Sequence, residues 1–334
     1  MLTGDIYEPG KIRLIETPEP EFSSDGISGT SPLVLFEPRL GCLCGSDLPF
    51  LMMNPASEFE VKRGHSLHEM IGQIVATTGS RFSVGTQVLC VPDEQRGLSE
   101  RFCISESRIV AIAPGLSDEQ AVLAQPLGTV ICALRKLGPL LDLNIAIIGQ
   151  GPIGQLFCSA LSGAGARRII AIDRLPDRLA VSARMGATDI IDAKAQDPVD
   201  ALSQATNGAL ADLVILAVNQ LDDDSAFHIA LDLSRAHGRI LLFGLPQERV
   251  PNFNWHKLQR KNLSLLTSIE PSFTHDFPLA MQWIAQGRID VRPLITHHFP
   301  LSNIQNAFDI FGGRLEGALK VFIEFPRRPN TLTQ

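Results

Sequence analysis

The chain has 334 residues, 45% hydrophobic and 19% charged, and its 29 Lys plus Arg against 36 Asp plus Glu give a formal net charge of −7. That length suits two domains, and a mildly acidic balance without a basic stripe argues against a nucleic-acid partner. No apolar run approaches the roughly 18 residues of a membrane span, and the opening Met-Leu-Thr-Gly-Asp lacks the basic region and apolar core of a signal peptide.

Residues 1–122 read as β-rich. Segments 33–36 and 71–76 are strand-like, and Gly, Pro, Asp and Ser punctuate the rest. From 123 to 287 apolar strands alternate with helices. The strands are expected at 144–148, 168–172, 188–191, 212–218, 238–243 and 263–268. Segments 152–162, 176–185, 198–206 and 224–236 between them have helical spacing, and Gly186 and Gly208 look like helix stops. This alternation predicts a doubly wound parallel sheet. Gly238 and Gly244 bracket the fifth strand, whose carboxyl end should approach a ligand crevice. Residues 288–334 return to short strands around a helix at 301–311, ending in a loosely held tail from 326. The chain is therefore expected to be an α/β protein, with a β-rich domain (1–122 and 288–334) interrupted by a nucleotide-binding domain (123–287).

At the start of that insertion an apolar run ends in Gly149-x-Gly151-x-x-Gly154, and a helical pattern follows at once. Such a turn aims backbone N–H groups at a pyrophosphate. Gly149 allows the turn, Gly151 the approach of phosphate, and Gly154 close helix–strand packing. Gly149, Gly151, Pro152, Ile153 and Gly154 are the candidate cradle. The next strand ends at Asp173, nineteen positions after Gly154, where a carboxylate can bind a ribose diol. Read in isolation, the triplet is a turn of any βαβ protein and Asp173 a solvated acid. Strand, turn, helix, strand and acid in order point to a dinucleotide. Asp173 would repel a 2′-phosphate and favours NAD, while Arg174 and Arg178 keep NADP open.

The first segment holds Gly41-Cys-Leu-Cys-Gly-Ser-Asp47 and His65-Ser-Leu-His-Glu69, and Gln125-Pro126 follows. Cys44-Gly-Ser-Asp, the His68-Glu-x-x-Gly72-x-Ile box, the segment 130–137 with the glycine triplet, Pro293-Leu-Ile-Thr296 and Ala307-Phe-Asp309 together resemble the medium-chain dehydrogenase/reductase superfamily. Within it they are most similar to the zinc-dependent alcohol and polyol dehydrogenases, over nearly the full length. The resemblance implies a GroES-like β-rich catalytic domain plus a Rossmann domain, and NAD(P)-dependent interconversion of an alcohol (a polyol, sugar or secondary alcohol) and a carbonyl. It further implies one catalytic zinc, held by Cys44, His68, Glu69 and Gln125, with Glu69 or Gln125 exchanging with water. Cys44 thiolate and His68 imidazole suit zinc's borderline softness.

His68 rather than His65 is taken as the ligand, because only His68 is followed by Glu and by Gly four positions on. A single Cys or His is ordinarily a packed core residue; the set in family register is what speaks for metal. Three departures stand out. Gln125 replaces the family's Glu. Pro49 replaces its relay histidine, leaving Ser46 as the relay hydroxyl. Only Cys90 and Cys103 lie between 88 and 107, so no structural zinc is expected. Cys42, Cys132 and Cys158 read as packing residues, and the scatter of all six cysteines suggests a reducing cytoplasm.

Gln125 and Pro49 keep alive a zinc-free quinone or enoyl reductase of the same superfamily. A nucleotide-binding protein that has lost catalysis is a third reading. Phe50, Leu51, Trp255 and Phe273 either line an apolar substrate pocket or are ordinary packing. The resemblance also implies a homodimer or homotetramer joined at edge strands, with 263–268 the candidate edge.

Overall fold

The computed structural model describes residues 1–22, 31–53, 62–218, 225–244, 250 and 252–327. Most of the expected tail, 328–334, and the segments 219–224 and 245–249 after two of the expected strands lie outside the described residues. The chain divides into two compact units. One comprises Met1–Gln125, Phe273–Ala285 and Ile295–Gln334, and the other Pro126–Ser272 and Gln286–Leu294.

In the first unit, β1 (Leu2–Glu8) and β2 (Lys11–Glu16) form an antiparallel hairpin. A seven-stranded sheet is built from β3 (Leu33–Cys42), β4 (Glu69–Thr77), β5 (Gln87–Cys90), β6 (Phe102–Ser105) and β7 (Ile109–Ala111), with β14 (Ile295–Pro300) and β15 (Lys320–Glu324) from the end of the chain. The order is β14-β15-β3-β4-β5-β7, with β6 on β3. Short helices α1 (Leu48–Met52) and α2 (Asp118–Val122) lie between these strands in sequence, and α10 (Ile304–Gly313) precedes β15. Val34, Phe36, Met70, Ile74, Val88, Phe308 and Val321 belong to one buried cluster, so chain start and chain end share a core. The helix expected at 301–311 is a 3₁₀ turn, Leu301–Asn303, running into α10.

The second unit holds α3 (Ala124–Lys136) beyond its first two residues. A six-stranded parallel sheet follows, of β8 (Asn144–Ile148), β9 (Arg168–Asp173), β10 (Asp189–Asp192), β11 (Ala211–Leu216), β12 (Ser234–Leu242) and β13 (Ser264–Thr267). The order is β10-β9-β8-β11-β12-β13. Numbered from β8 as the first strand this is 3-2-1-4-5-6, the dinucleotide-fold order. The connecting helices are α4 (Pro152–Ser162), α5 (Pro176–Arg184), α6 (Pro198–Ala205), α7 (Ser225–Leu233) and α8 (Trp255–Arg260). All five residues of β8 are buried, as the central strand of a sheet covered on both faces requires. Gly186 and Gly208 take positive φ beyond α5 and α6, where an L side chain would be strained.

Two elements depart from the sequence expectation. The fifth strand begins at Ser234 rather than 238, directly after α7, although 224–236 has helical spacing. The Ser234 hydroxyl donates to the Ala230 carbonyl, and the Lys261 ammonium donates to the carbonyls of Leu231, Asp232 and Ser234. With its terminal carbonyls satisfied by a distant lysine, the helix can turn into strand with no loop. Helix α9 (Asp276–Ala285) packs on α2 and β7 of the first unit, although it lies within the 123–287 stretch. Its apolar side (Phe277, Ala280, Met281, Ile284) is buried, and Arg108 lies over the Phe273 ring just before it. No helix among the described residues is long and apolar enough to cross a membrane.

Candidate metal centre and dinucleotide turn

Strand pairing builds the first site. Antiparallel β3 and β4 set Cys42 opposite Glu69, so the last residue of one strand faces the first of the other. Cys44 lies two residues beyond Cys42 and His68 one before Glu69, and the register carries both to the same end of the sheet. The ligand atoms of Cys44, His68 and Glu69 all lie within 4.8 Å of one another.

Asp47, in the 3₁₀ turn Gly45–Asp47, locks this geometry. Its buried carboxylate accepts from the Cys44 backbone N–H (2.7 Å) and the Leu67 N–H (3.2 Å), and lies 3.6 Å from His68 Nδ1. One acid thus positions both the thiol loop and the imidazole segment. Burial alone would push the His68 pKa down, but the Asp47 carboxylate and the Cys44 thiol beside the ring favour its charged form, outweigh burial and hold the imidazole well above its usual value. A pocket that favours positive charge on an imidazole favours a bound cation for the same reason.

Lys320 is the residue the sequence reading passed over. Its pairing strand β15 sets Phe322 against Cys42, which brings Lys320 to the Cys44 end. The ammonium contacts Glu69 Oε2 at 2.5 Å and the Leu43 carbonyl at 3.3 Å, while Glu69 Oε1 is buried with no hydrogen-bond partner. Burial opposes the Lys320 charge, yet the Glu69 carboxylate in contact with it holds its pKa above the usual value. The signal was a lone lysine inside the apolar run 319–323. Burial also pushes the Cys42 thiol well up, so it remains neutral packing beside the trio. The donor set therefore fits a divalent, borderline-soft metal: a thiol, an imidazole and a carboxylate oxygen with no other partner.

The remaining candidates lie as follows. Ser46 is in the 3₁₀ turn with Asp47. Gln125 is buried near the start of α3, at 6% exposure, in the same compact unit. His65 is outside the trio; its ring stacks on Phe50 at 4.7 Å between centroids, and burial lowers its pKa. Leu51 belongs to the core, Phe273 packs edge-on against Phe277, and Trp255 is 67% exposed beside Phe253.

In the second unit, Gly149 (φ +94°) turns the chain out of β8, and a Cβ there would meet Val218 Cγ1 at 2.3 Å. Gly151 caps α4, and Pro152 and Ile153 form its first turn. A Cβ on Gly154 would lie 1.9 Å from the Gly149 carbonyl oxygen, so helix and turn touch there. The Asp173 carboxylate accepts from the backbone N–H of Gln150 (2.6 Å), Arg174 (2.6 Å) and Leu175 (2.9 Å). Arg178 Nη1 is 3.6 Å from where a Gly151 Cβ would stand, and Arg174 Nη2 is 3.4 Å from Ser225 Oγ.

The zinc-binding dehydrogenase family matches residues 152–286. The sorbitol dehydrogenase of Bacillus subtilis (strain 168) is 26% identical over 355 residues, covering 97% of this chain and 96% of that protein. The chain is a member of the medium-chain dehydrogenase/reductase superfamily. As such it is an oxidoreductase of the zinc-dependent alcohol and polyol dehydrogenase branch. The L-idonate 5-dehydrogenase (NAD(P)(+)) of Escherichia coli (strain K12) is likewise 26% identical, over 311 residues, covering 83% of this chain and 88% of that protein. The dehydrogenase fold itself is matched by alcohol dehydrogenase TADH from Thermus sp. ATN1, with a TM-score of 0.83 at 23% identity over 97% of this chain and 99% of that one.

Proposed function

We propose that this oxidoreductase interconverts a hydroxyl-bearing small molecule, a polyol, sugar or secondary alcohol, and its carbonyl, with NAD as the preferred coenzyme and one zinc per chain. In this reading 1–122 with 288–334 binds the substrate oxygen, and 123–287 binds the coenzyme. The observation that carries it is the convergence of Cys44, His68 and Glu69 within 4.8 Å. Cys44 Sγ and His68 would hold the metal. The His68 ring has Nδ1 toward Asp47, leaving Nε2 for the metal. The unpartnered Glu69 Oε1 and the Gln125 amide supply the exchangeable positions. Zinc, when bound, supplies Lewis acidity that favours loss of the hydroxyl proton.

The chain's own groups then divide the work. Ser46 relays the hydroxyl proton, and with Pro49 following in α1 the proton leaves through solvent water, a ribose hydroxyl or a nearby histidine. Asp47 keeps thiol and imidazole aligned. The α4 N-terminus binds the pyrophosphate, with Arg178 beside it, and Asp173 the adenine ribose, while Arg174 and Arg178 keep NADP open as the second coenzyme. The relatives' own names, sorbitol and L-idonate dehydrogenase, support the substrate class.

Two copies are proposed to associate as a homodimer, or a homotetramer of dimers, through β13, the outermost strand of its sheet, beyond which Ile269 is 78% exposed. A cytoplasmic setting is in keeping with six unpaired cysteines. Protein purified without added zinc is expected to carry about one equivalent per chain. Cys44→Ala should lose metal and turnover on an alcohol panel while still binding NADH. Turnover retained without zinc would move the protein to the quinone or enoyl reductase reading, and zinc and NADH binding with no turnover on any alcohol would overturn the enzymatic one.

A further inference from the structure

Beneath the glycine turn lies a polar network in an otherwise apolar place. Gln150, Gln155 and Ser182 are all fully buried. Buried polar groups cost stability unless they are bonded, and these are bonded to particular backbone atoms. Gln155 Nε2, on α4, is 3.1 Å from the Gln150 carbonyl, 2.8 Å from the Arg178 carbonyl and 3.2 Å from Ser182 Oγ. Gln150 Nε2 donates to the Ile147 carbonyl, and its Oε1 accepts from Ser182 Oγ at 3.0 Å and Cys158 Sγ at 3.5 Å. Ser182 Oγ also lies 3.0 Å from the Arg178 carbonyl.

The two carbonyl acceptors dictate which end of the Gln155 amide faces them. Gln155 Oε1 is left buried with no partner, a cost that packing alone would avoid with an apolar side chain. The network joins the middle residue of the turn to the residue that carries a guanidinium over it. Arg178 Nη1 stands 3.6 Å from the Cβ position of Gly151, the cap of α4.

We propose that Gln155 is a positioning residue for the coenzyme: by tying the Gln150 and Arg178 carbonyls together it holds the Arg178 guanidinium where a dinucleotide phosphate meets the α4 N-terminus. Gln150 and Ser182 brace the same tie. This rests on the dinucleotide reading above. It adds that affinity depends on a side chain that never touches the ligand.

The test is a double-mutant cycle on the full-length protein, read by NADH fluorescence titration. Gln155→Met keeps length and volume and removes the donors. It is expected to weaken NADH binding about five- to twentyfold. Arg178→Gln should weaken it at least as much, and the double variant should be no weaker than Arg178→Gln alone. Losses that multiply, or a Gln155→Met affinity within twofold of the parent, overturn the proposal. If Gln155→Met shows no cooperative melting, Ser182→Ala enters the same cycle, with an expected loss of about two- to fivefold that again vanishes on the Arg178→Gln background. No loss there, or a multiplying one, has the same force. A parent protein that fails to bind NADH at all defeats the dinucleotide reading instead, which separates the two failures.

Discussion

Lys320 Nζ and Glu69 Oε2 form an ion pair at 2.5 Å with both side chains out of solvent. Removing one partner of such a pair strands the other charge, at a cost of about 3–5 kcal/mol. Lys320→Met should therefore lower the chemical-denaturation stability of the metal-free protein by about that amount. Zinc should recover part of it, because the stranded carboxylate becomes a stronger ligand. Denaturant titrations with and without zinc check both statements, and equal losses in the two would contradict the second.

Gln125→Glu adds a negative charge at the proposed fourth donor. Metal retention against a chelator should rise by about tenfold or more, and the pH at which turnover reaches half its maximum should move up by up to about one unit. Chelator competition and a pH–rate profile are the measurements. An unchanged profile with unchanged retention would place Gln125 outside the metal's reach.

Gly154→Ala puts a methyl group where a Cβ would stand 1.9 Å from the Gly149 carbonyl oxygen. The turn must open, so NADH affinity should fall by more than about tenfold, with zinc content unaltered. Fluorescence titration beside metal analysis separates the two units' sites in one experiment.

His65 gives the protein an acid-side sensitivity. Burial holds its pKa below the usual 6.5, so the unfolded chain binds the proton more readily than the folded one. Its contribution to stability is complete above about pH 6.5 and is lost as pH falls through the folded value. His65→Gln should narrow the fall in thermal midpoint between about pH 7 and pH 5, compared scan for scan with the parent. A fall of the same size in both proteins would assign the sensitivity elsewhere.

The alternating pattern from 144 to 267 was readable because its central strands β8, β9 and β11 are largely buried apolar runs, and β8 with α4 match their expected spans residue for residue. The start of β12 was not, since the lysine that ends α7 is 27 positions beyond Ser234 and nothing local announces it. His68, not His65, joins Cys44 and Glu69, a distinction that only the residues following each histidine could suggest. Lys320 and Gln155 escaped notice for a shared reason. Each is one polar residue in an apolar run, and its partner is chosen by strand register or helix packing rather than by sequence spacing.

Asp173 carries one last implication. The acid expected to choose between coenzymes also fastens the amides on both sides of it, from Gln150 in the turn to Arg174 and Leu175 beyond the strand. Redesigning this enzyme toward a phosphorylated ribose by swapping that single carboxylate would loosen the loop meant to receive the new ligand. Any such swap has to bring its own replacement acceptor, or be compensated from the neighbouring helix.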